Sequence, residues 1–523
     1  MKPANFMFSK SISRCVLLTV FSGLLCAPAS RAEEPAATVS LADAVQNTLA
    51  NQLGVQVTRS KVTQSRGTLQ TASGQFDWDL GAYWATQVDR APTGRSAPFL
   101  HAKTEDTTTY TIGLGRMFRS GLSVTQSVTA VDYKDNYSQY APVSQANVSV
   151  TLKVPLLRGF GTKHAGATEM AAKLGLKAQE YATQYTVEQL VYQTAAAYWN
   201  CLTAARDVAI ADAAEKRAQE IFKVVQTFAN GGELDHSTLD QARARLAVEQ
   251  ASRESAELAY YQSRQALGQA MGYTSRQLLS PPLPAGEFPA VLGAESFTSA
   301  MREKYSHEAL ARRADYLAAG LNADAQAALL EQARNNLKPK LDASVQVGYA
   351  GMDTRSDRMR PAFAVSNNIV GANALTTVTL DWPMANNAAR GSYLSQKAVA
   401  EQARFSAALA GTDVTAGVLN AIELLKRTSS QYALATRAVE NYRRAVEQVN
   451  ANLRIGEATL TDVIDVEDRY VSALQLQNST HDQYAIALAL IRLYTGTLTS
   501  MDDHQAVFRL DSLTELPFPT ATP

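Results

Sequence analysis

Two carboxylates three residues apart, Asp462 and Asp465, are the side chains whose type and spacing most invite a chemical reading. On their own they read first as a solvated helix start, because a negative charge is favourable near a helix N-terminus. The other candidates are weaker. His101, His164, His236, His307, His481 and His504 are scattered, with no zinc-like spacing. Gly159-Phe160-Gly161-Thr162-Lys163 lacks the spacing of a phosphate-binding loop, and Gly113-Leu114-Gly115 lies inside a strand-like run. Cys201 falls on a helical seam and reads as a small buried hydrophobe rather than a reactive thiol. No catalytic residue, metal site or cofactor site is predicted, so the chain is read as a non-enzyme.

The elements that must position the two carboxylates are unusual. From His164 to about Ala229, and again from Ala388 to Leu453, the chain has no Pro and few Gly. Each stretch is roughly 65 residues, or about 100 Å of helix at 1.5 Å per residue. In the second, Val414, Val418, Ala421, Leu425, Thr428, Tyr432, Ala435, Val439, Tyr442, Val446, Val449 and Leu453 step alternately by four and three. A sustained repeat of 3.5 residues means coiled-coil packing. An offset of 224 residues gives the matching seam from Leu190 to Ala229, richer in small residues, as close side-by-side packing requires. Each long helix should stop at a Gly turn, Asn230-Gly231-Gly232-Glu233 or Arg454-Ile455-Gly456-Glu457, and be followed by a second helix.

Six runs between the helices alternate with period two. They are Leu80 to Val88, Tyr110 to Leu114, Leu122 to Ala130, Val148 to Leu156, Leu341 to Tyr349 and Val378 to Trp382. Apolar positions alternate with Ser and Thr, the pattern of a transmembrane barrel strand of about 9–11 residues. Trp84, Tyr349 and Trp382 suit interfacial girdles. A soluble sandwich has the same period, but six runs are few for one and they interrupt very long helices. The Tyr110–Phe118 and Leu122–Val131 runs, joined by Arg119-Ser120-Gly121, read as an extra hairpin that either widens a barrel or forms an extracellular flap.

The chain of 523 residues carries 49 basic and 49 acidic side chains, so no basic face points to nucleic acid. Lys2, Lys10 and Arg14 precede the apolar run Val16 to Leu25, and Ser30 and Ala32 mark a small-residue cut after Ala32, so residues 1–32 read as a signal peptide. Cys26 invites a lipoprotein reading, but Leu25 is bulky where a small residue is expected. After the cut, no apolar run is expected to reach the ~18–20 residues of a transmembrane helix. The remainder divides into a first repeat at 40–279, a Pro-rich linker at 280–295, a second repeat at 296–498 and a flexible tail at 499–523. Each repeat reads helix, strands, Pro turn, long helix, Gly turn, helix.

The run from Leu453 through Arg454-Ile455-Gly456-Glu457-Ala458-Thr459-Leu460-Thr461 to Asp465 resembles the second periplasmic tip of TolC-family efflux proteins. Val154-Pro155-Leu156-Leu157-Arg158-Gly159 resembles that family's strand-to-helix junction. The likeness extends from about Ser40 to about Leu498. It implies a fold that is mainly α with a transmembrane β-barrel, its duplicated halves forming a trimeric channel in which each subunit gives four strands. It implies an outer-membrane exit duct reaching into the periplasm, with a periplasmic adaptor and an inner-membrane pump docked at the tips. Asp462 and Asp465 stand where the family places a pore gate, and Gly232, Glu233, Gly456 and Glu457 in the two tip turns. Where the family closes with an Arg and an Asp in opposite tips, this chain has Ala458 and Thr238, so Arg454 with Glu233, Asp235 or Asp240 would have to substitute. The alternative is a periplasmic coiled-coil protein with no transport role, which would explain the helices but not the lipid-faced strands.

Overall fold

The computed structural model describes residues 38–92, 102–136, 143–232, 235–353, 370–502, 505–508 and 513–518. The signal-peptide segment and Glu233 lie outside these residues. After the short strand β1 (Thr38–Val39), the first half runs through α1 (Leu41–Asn51), α2 (Leu53–Gly74) and four strands: β2 (Trp78–Pro92), β3 (Ala102–Met117), β4 (Ser123–Asp135) and β5 (Val143–Pro155). A one-turn α3 (Thr162–Ala165) leads into α4 (Ala167–Asn230) and α5 (His236–Ala270). The linker holds β6 (Leu283–Pro284), paired in parallel with β1. The second half repeats the plan with α6 (Ser299–Arg312), α7 (Ala314–Asn335), β7 (Lys340–Asp353), β8 (Val370–Asp381), α8 (Asn387–Arg454) and α9 (Leu460–Thr495).

α4 and α8 are 64 and 68 residues long, so each spans about 100 Å. Every residue of the two predicted seams is buried or half-buried, with Val414, Val418, Ala421 and Leu425 fully so. The helices form a wall four wide. Near the strands its order is α2-α4-α7-α8, and near the tips α5-α4-α9-α8. The shorter helices meet end to end at two glycines in left-handed conformation. A Cβ on Gly272 (φ 79°) would lie 2.7 Å from the Gln52 backbone, and one on Gly496 (φ 63°) 3.0 Å from the carbonyl carbon of Arg312. The 224-residue offset relates these two glycines as well.

The six long strands form one antiparallel sheet in the order β2-β3-β4-β5-β7-β8. Register puts the apolar side chains on a single face, since residues paired directly across strands share a face. One row runs Ala82↔Ile112↔Val128↔Val148↔Tyr349, and the next Leu80↔Leu114↔Gln126↔Val150↔Val347. The opposite face carries Thr111, Thr129, Asn147 and Ser149. The strands are 12–16 residues long, exceeding the apolar runs because their far ends are polar, as at Asp89-Arg90 and Thr104-Glu105-Asp106.

Two expectations are corrected. α8 contains an 18-residue window long and apolar enough to cross a membrane by length and composition alone. That window lies within a helix packed along α7 and α9. The segment 499–523 is not a free tail over its described residues. β9 (Thr499–Asp502) and β10 (Gln505–Phe508) form a hairpin, Leu513 is fully buried, and Arg492 donates to the carbonyls of Glu515 and Leu516 at 2.9 and 3.0 Å. The Tyr305 hydroxyl donates to the Phe518 carbonyl at 3.1 Å, and the two rings meet edge to face. A buried arginine needs acceptors, and the returning chain supplies them.

Candidate gate at the helical tips

At the second tip α8 stops at Ile455, and Gly456 turns the chain at φ 77°. Thr459 then caps α9. Its hydroxyl and backbone N–H donate to Asp462 Oδ2 at 2.6 and 3.0 Å, and the Asp462 N–H donates back to Thr459 Oγ1 at 3.2 Å. This reciprocal pair satisfies two amides that a helix start otherwise leaves open, and it holds the Asp462 carboxyl below the usual carboxylate range. Asp465, one turn on, accepts from Arg469 Nε at 3.2 Å. Asp462, Asp465 and Arg469 share the exposed face of α9, while Val463 and Glu467 face inward. Asp462 is therefore both a capping residue and a solvent-facing charge. The tip glycine of the first hairpin, Gly232, has the same φ of 77°, and Glu457 is exposed beside Gly456.

Among the described residues, which do not include Glu233, neither Asp235 nor Asp240 pairs with Arg454. Asp240 accepts from Arg243 of its own helix at 3.0 Å, and Asp235 from the Ser237 hydroxyl at 2.8 Å. The two hairpins are tied further along by groups the sequence did not single out. Arg217 of α4 bonds Glu467 of α9 at 2.8 Å, Asn450 of α8 donates to the same carboxylate at 3.4 Å, and Arg245 of α5 pairs with Asp468 of α9. Glu467 is nearly buried, so its charge must be partnered. The available signal was a charged residue at a position facing inward in the periodicity of α9.

A second polar cluster lies midway along the wall. Asn478 of α9 donates to Asp207 Oδ1 of α4 at 2.8 Å, and Asp482 is buried one turn further on. Burial, with a smaller contribution from Asp207, pushes the Asp482 carboxyl up to about 6 against a hydrogen bond from Thr203. Glu188 of α4 is fully buried, accepts from Thr499 at 2.6 Å and is likewise raised by burial. Cys201 is buried, and desolvation pushes its thiol up, so it is poorly suited to act as a nucleophile. The Gly159–Lys163 segment is the strand-to-helix junction, where the Gly159 N–H donates to Asn335 Oδ1 at 2.8 Å. Among the described residues no three His, Cys, Asp or Glu side chains cluster as metal ligands.

The fold of this chain is that of known channels. It is similar to the outer-membrane channel OprN at a TM-score of 0.64 and 15% identity, covering 87% of this chain and 89% of that one. It is similar to the Campylobacter jejuni CmeC outer membrane channel at 0.62 and 17%, covering 90% of each. It is also similar to the outer membrane protein VceC of Vibrio cholerae at 0.63 and 14%, covering 87% and 96%. No curated protein sequence matches the chain. The outer membrane efflux protein family model matches residues 120–273 and 305–497. With more than half its length matched, in both halves of the duplication and over both long helical hairpins, the chain belongs to the outer membrane efflux protein family.

Proposed function

We propose that three copies of this chain close into one duct, a membrane barrel continued by a helical tunnel through the periplasm, which lets solutes leave the cell passively. The observation that carries this reading is the single apolar face that register builds across all six long strands, set on a helical wall about 100 Å long. A coiled-coil protein without a membrane role has no use for such a face. Trp78 and Trp382 near one end of the strands, and Trp84 and Tyr349 further out, bracket it as interfacial aromatics do. The wall has two open edges. Leu394, Phe405, Leu409 and Leu434 are exposed along α8, and Val248, Leu258 and Tyr261 along α5. A neighbouring copy would bury both stripes. Energy comes from an inner-membrane pump, linked by a periplasmic adaptor to the tips around Gly232, Glu233, Gly456 and Glu457.

Three-fold symmetry turns Asp462 and Asp465 into stacked rings of carboxylates at the narrow end. Such rings favour cations and repel anions. Purified protein in planar bilayers should show small, steady, cation-preferring conductance at pH 7. Asp462→Asn with Asp465→Asn should abolish the preference. Selectivity indifferent to the double substitution would remove the gate and leave the duct. Well-folded protein that forms no channels would remove both.

A further inference from the structure

The four strands of the first half are one continuous meander, two more than the family resemblance implies for half a subunit. We infer that β3 and β4 are wall strands, so that three copies close an eighteen-stranded barrel rather than one of twelve. This rests on the trimeric channel reading above.

Several independent features place the extra hairpin in the wall rather than in a flap. Its turn lies on the tunnel side. Gly161 donates to the Ser120 carbonyl at 2.9 Å, Arg119 holds Glu169 of α4 through two bonds of 2.6 and 2.7 Å, and a Cβ on Gly121 (φ 91°) would strike the Gly159 carbonyl oxygen. The turn is thereby locked to the strand-to-helix junction, at the end opposite to where an extracellular flap would hang. Ile112, Leu114, Val124 and Val128 continue the apolar face of the neighbouring strands without a shift of register. On the other face, hydroxyl pairs join β3 to β4 and β4 to β5, Thr111 with Thr129 at 3.2 Å and Ser127 with Ser149 at 2.9 Å; Thr86 and Thr108 pair at 3.3 Å between β2 and β3 on the apolar face that carries Ala82 and Ile112. A strand with an apolar lipid side and a hydroxylated pore side is a barrel strand.

Parity and width agree. β2 and β8 are the two edges of the sheet. Six strands per copy leave them antiparallel at each junction between copies, so closure needs no parallel pair. Four helices packed at roughly 9 Å cover about 36 Å of arc. Six strands at about 4.8 Å, tilted by about 40°, cover about 38 Å, whereas four cover about 25 Å. The six-stranded sheet matches the wall of four helices beneath it, and the pore continues into the membrane without narrowing. Barrel diameter grows roughly linearly with strand number, so this mouth is about 1.5-fold wider than a twelve-stranded one and admits correspondingly bulkier solutes.

Cryo-electron microscopy of the full-length protein in lipid nanodiscs should show eighteen strands in a trimer. Thr86→Cys/Thr108→Cys and Ser127→Cys/Ser149→Cys, each oxidised in native outer membranes, should form intrachain disulfides. A trimer with twelve wall strands, or failure of both disulfides in protein that still forms trimers, would overturn the inference and keep the channel. A particle that is not a trimeric barrel would overturn both.

Discussion

Asp482 shows how much one buried carboxylate changes the behaviour of a helical wall. Its folded-state pKa of about 6 lies above the ordinary value of 3.8, so between these values the folded chain binds more protons than the unfolded one. Stability then falls as pH rises through that window. The contribution of the protonated form is fully present below the unfolded value and is lost as pH rises through about 6. Asp482→Asn should therefore raise the thermal midpoint at pH 7.5, by the equivalent of ~1–3 kcal/mol, and change it little at pH 4. Unfolding curves of the two proteins at both pH values test this, and equal shifts at the two would show that Asp482 is not the titrating group. Asp462 is a different case, because its carboxyl is held down by Thr459 and is fully exposed to solvent. Its importance depends on copies that lie outside a single chain.

Among the elements, the end-to-end junctions are the least tolerant points. At Gly496 a side chain meets both a left-handed backbone and the Arg312 carbonyl carbon at 3.0 Å. Gly496→Ala should destabilise the fold by ~1–3 kcal/mol, read as a lowered denaturation midpoint. The same change at Gly320, which has open space around it and lies inside α7, should be neutral or stabilising. If both substitutions behave alike, the junction is not a close contact. The strands and long helices were legible in the sequence because their periods of 2 and 3.5 are local properties of the chain. The end-to-end stacking was not, because it joins Gly272 to Gln52 and Gly496 to Arg312, far apart along the chain. Leu513 and the docked chain around it were missed for a related reason: a polar, Pro-containing stretch has no periodicity, yet its carbonyls meet the needs of Arg492.

For the whole molecule, the ties between hairpins bear on opening. Arg217–Glu467 and Arg245–Asp468 join the first hairpin to the second near the tips. Splaying the tips would have to break them. Glu467→Gln keeps the shape of the side chain while removing its charge, and it should weaken the closed arrangement by ~1–3 kcal/mol. The measurable outcome is larger or more frequent openings in planar bilayers than in the parent protein. Unchanged gating in Glu467→Gln and in Arg245→Ala alike would mean that these bonds hold the wall together without holding it shut.

The sequence by itself determined the local grammar of this protein. It specified two long seamed helices, Gly turns at their ends, strands with one apolar side, and a duplicated order of elements that places Asp462 and Asp465 beside a tip. Short-range physics is enough for each of these, since backbone geometry converts residue spacing directly into faces. Only the tertiary structure decided which faces meet. It aligned the strands so that six apolar stripes became one surface, seated the Arg119 turn on the tunnel side, and partnered Glu467 and Asp482 across helices. Those outcomes depend on pairing and burial between residues distant in the chain, which no local pattern encodes.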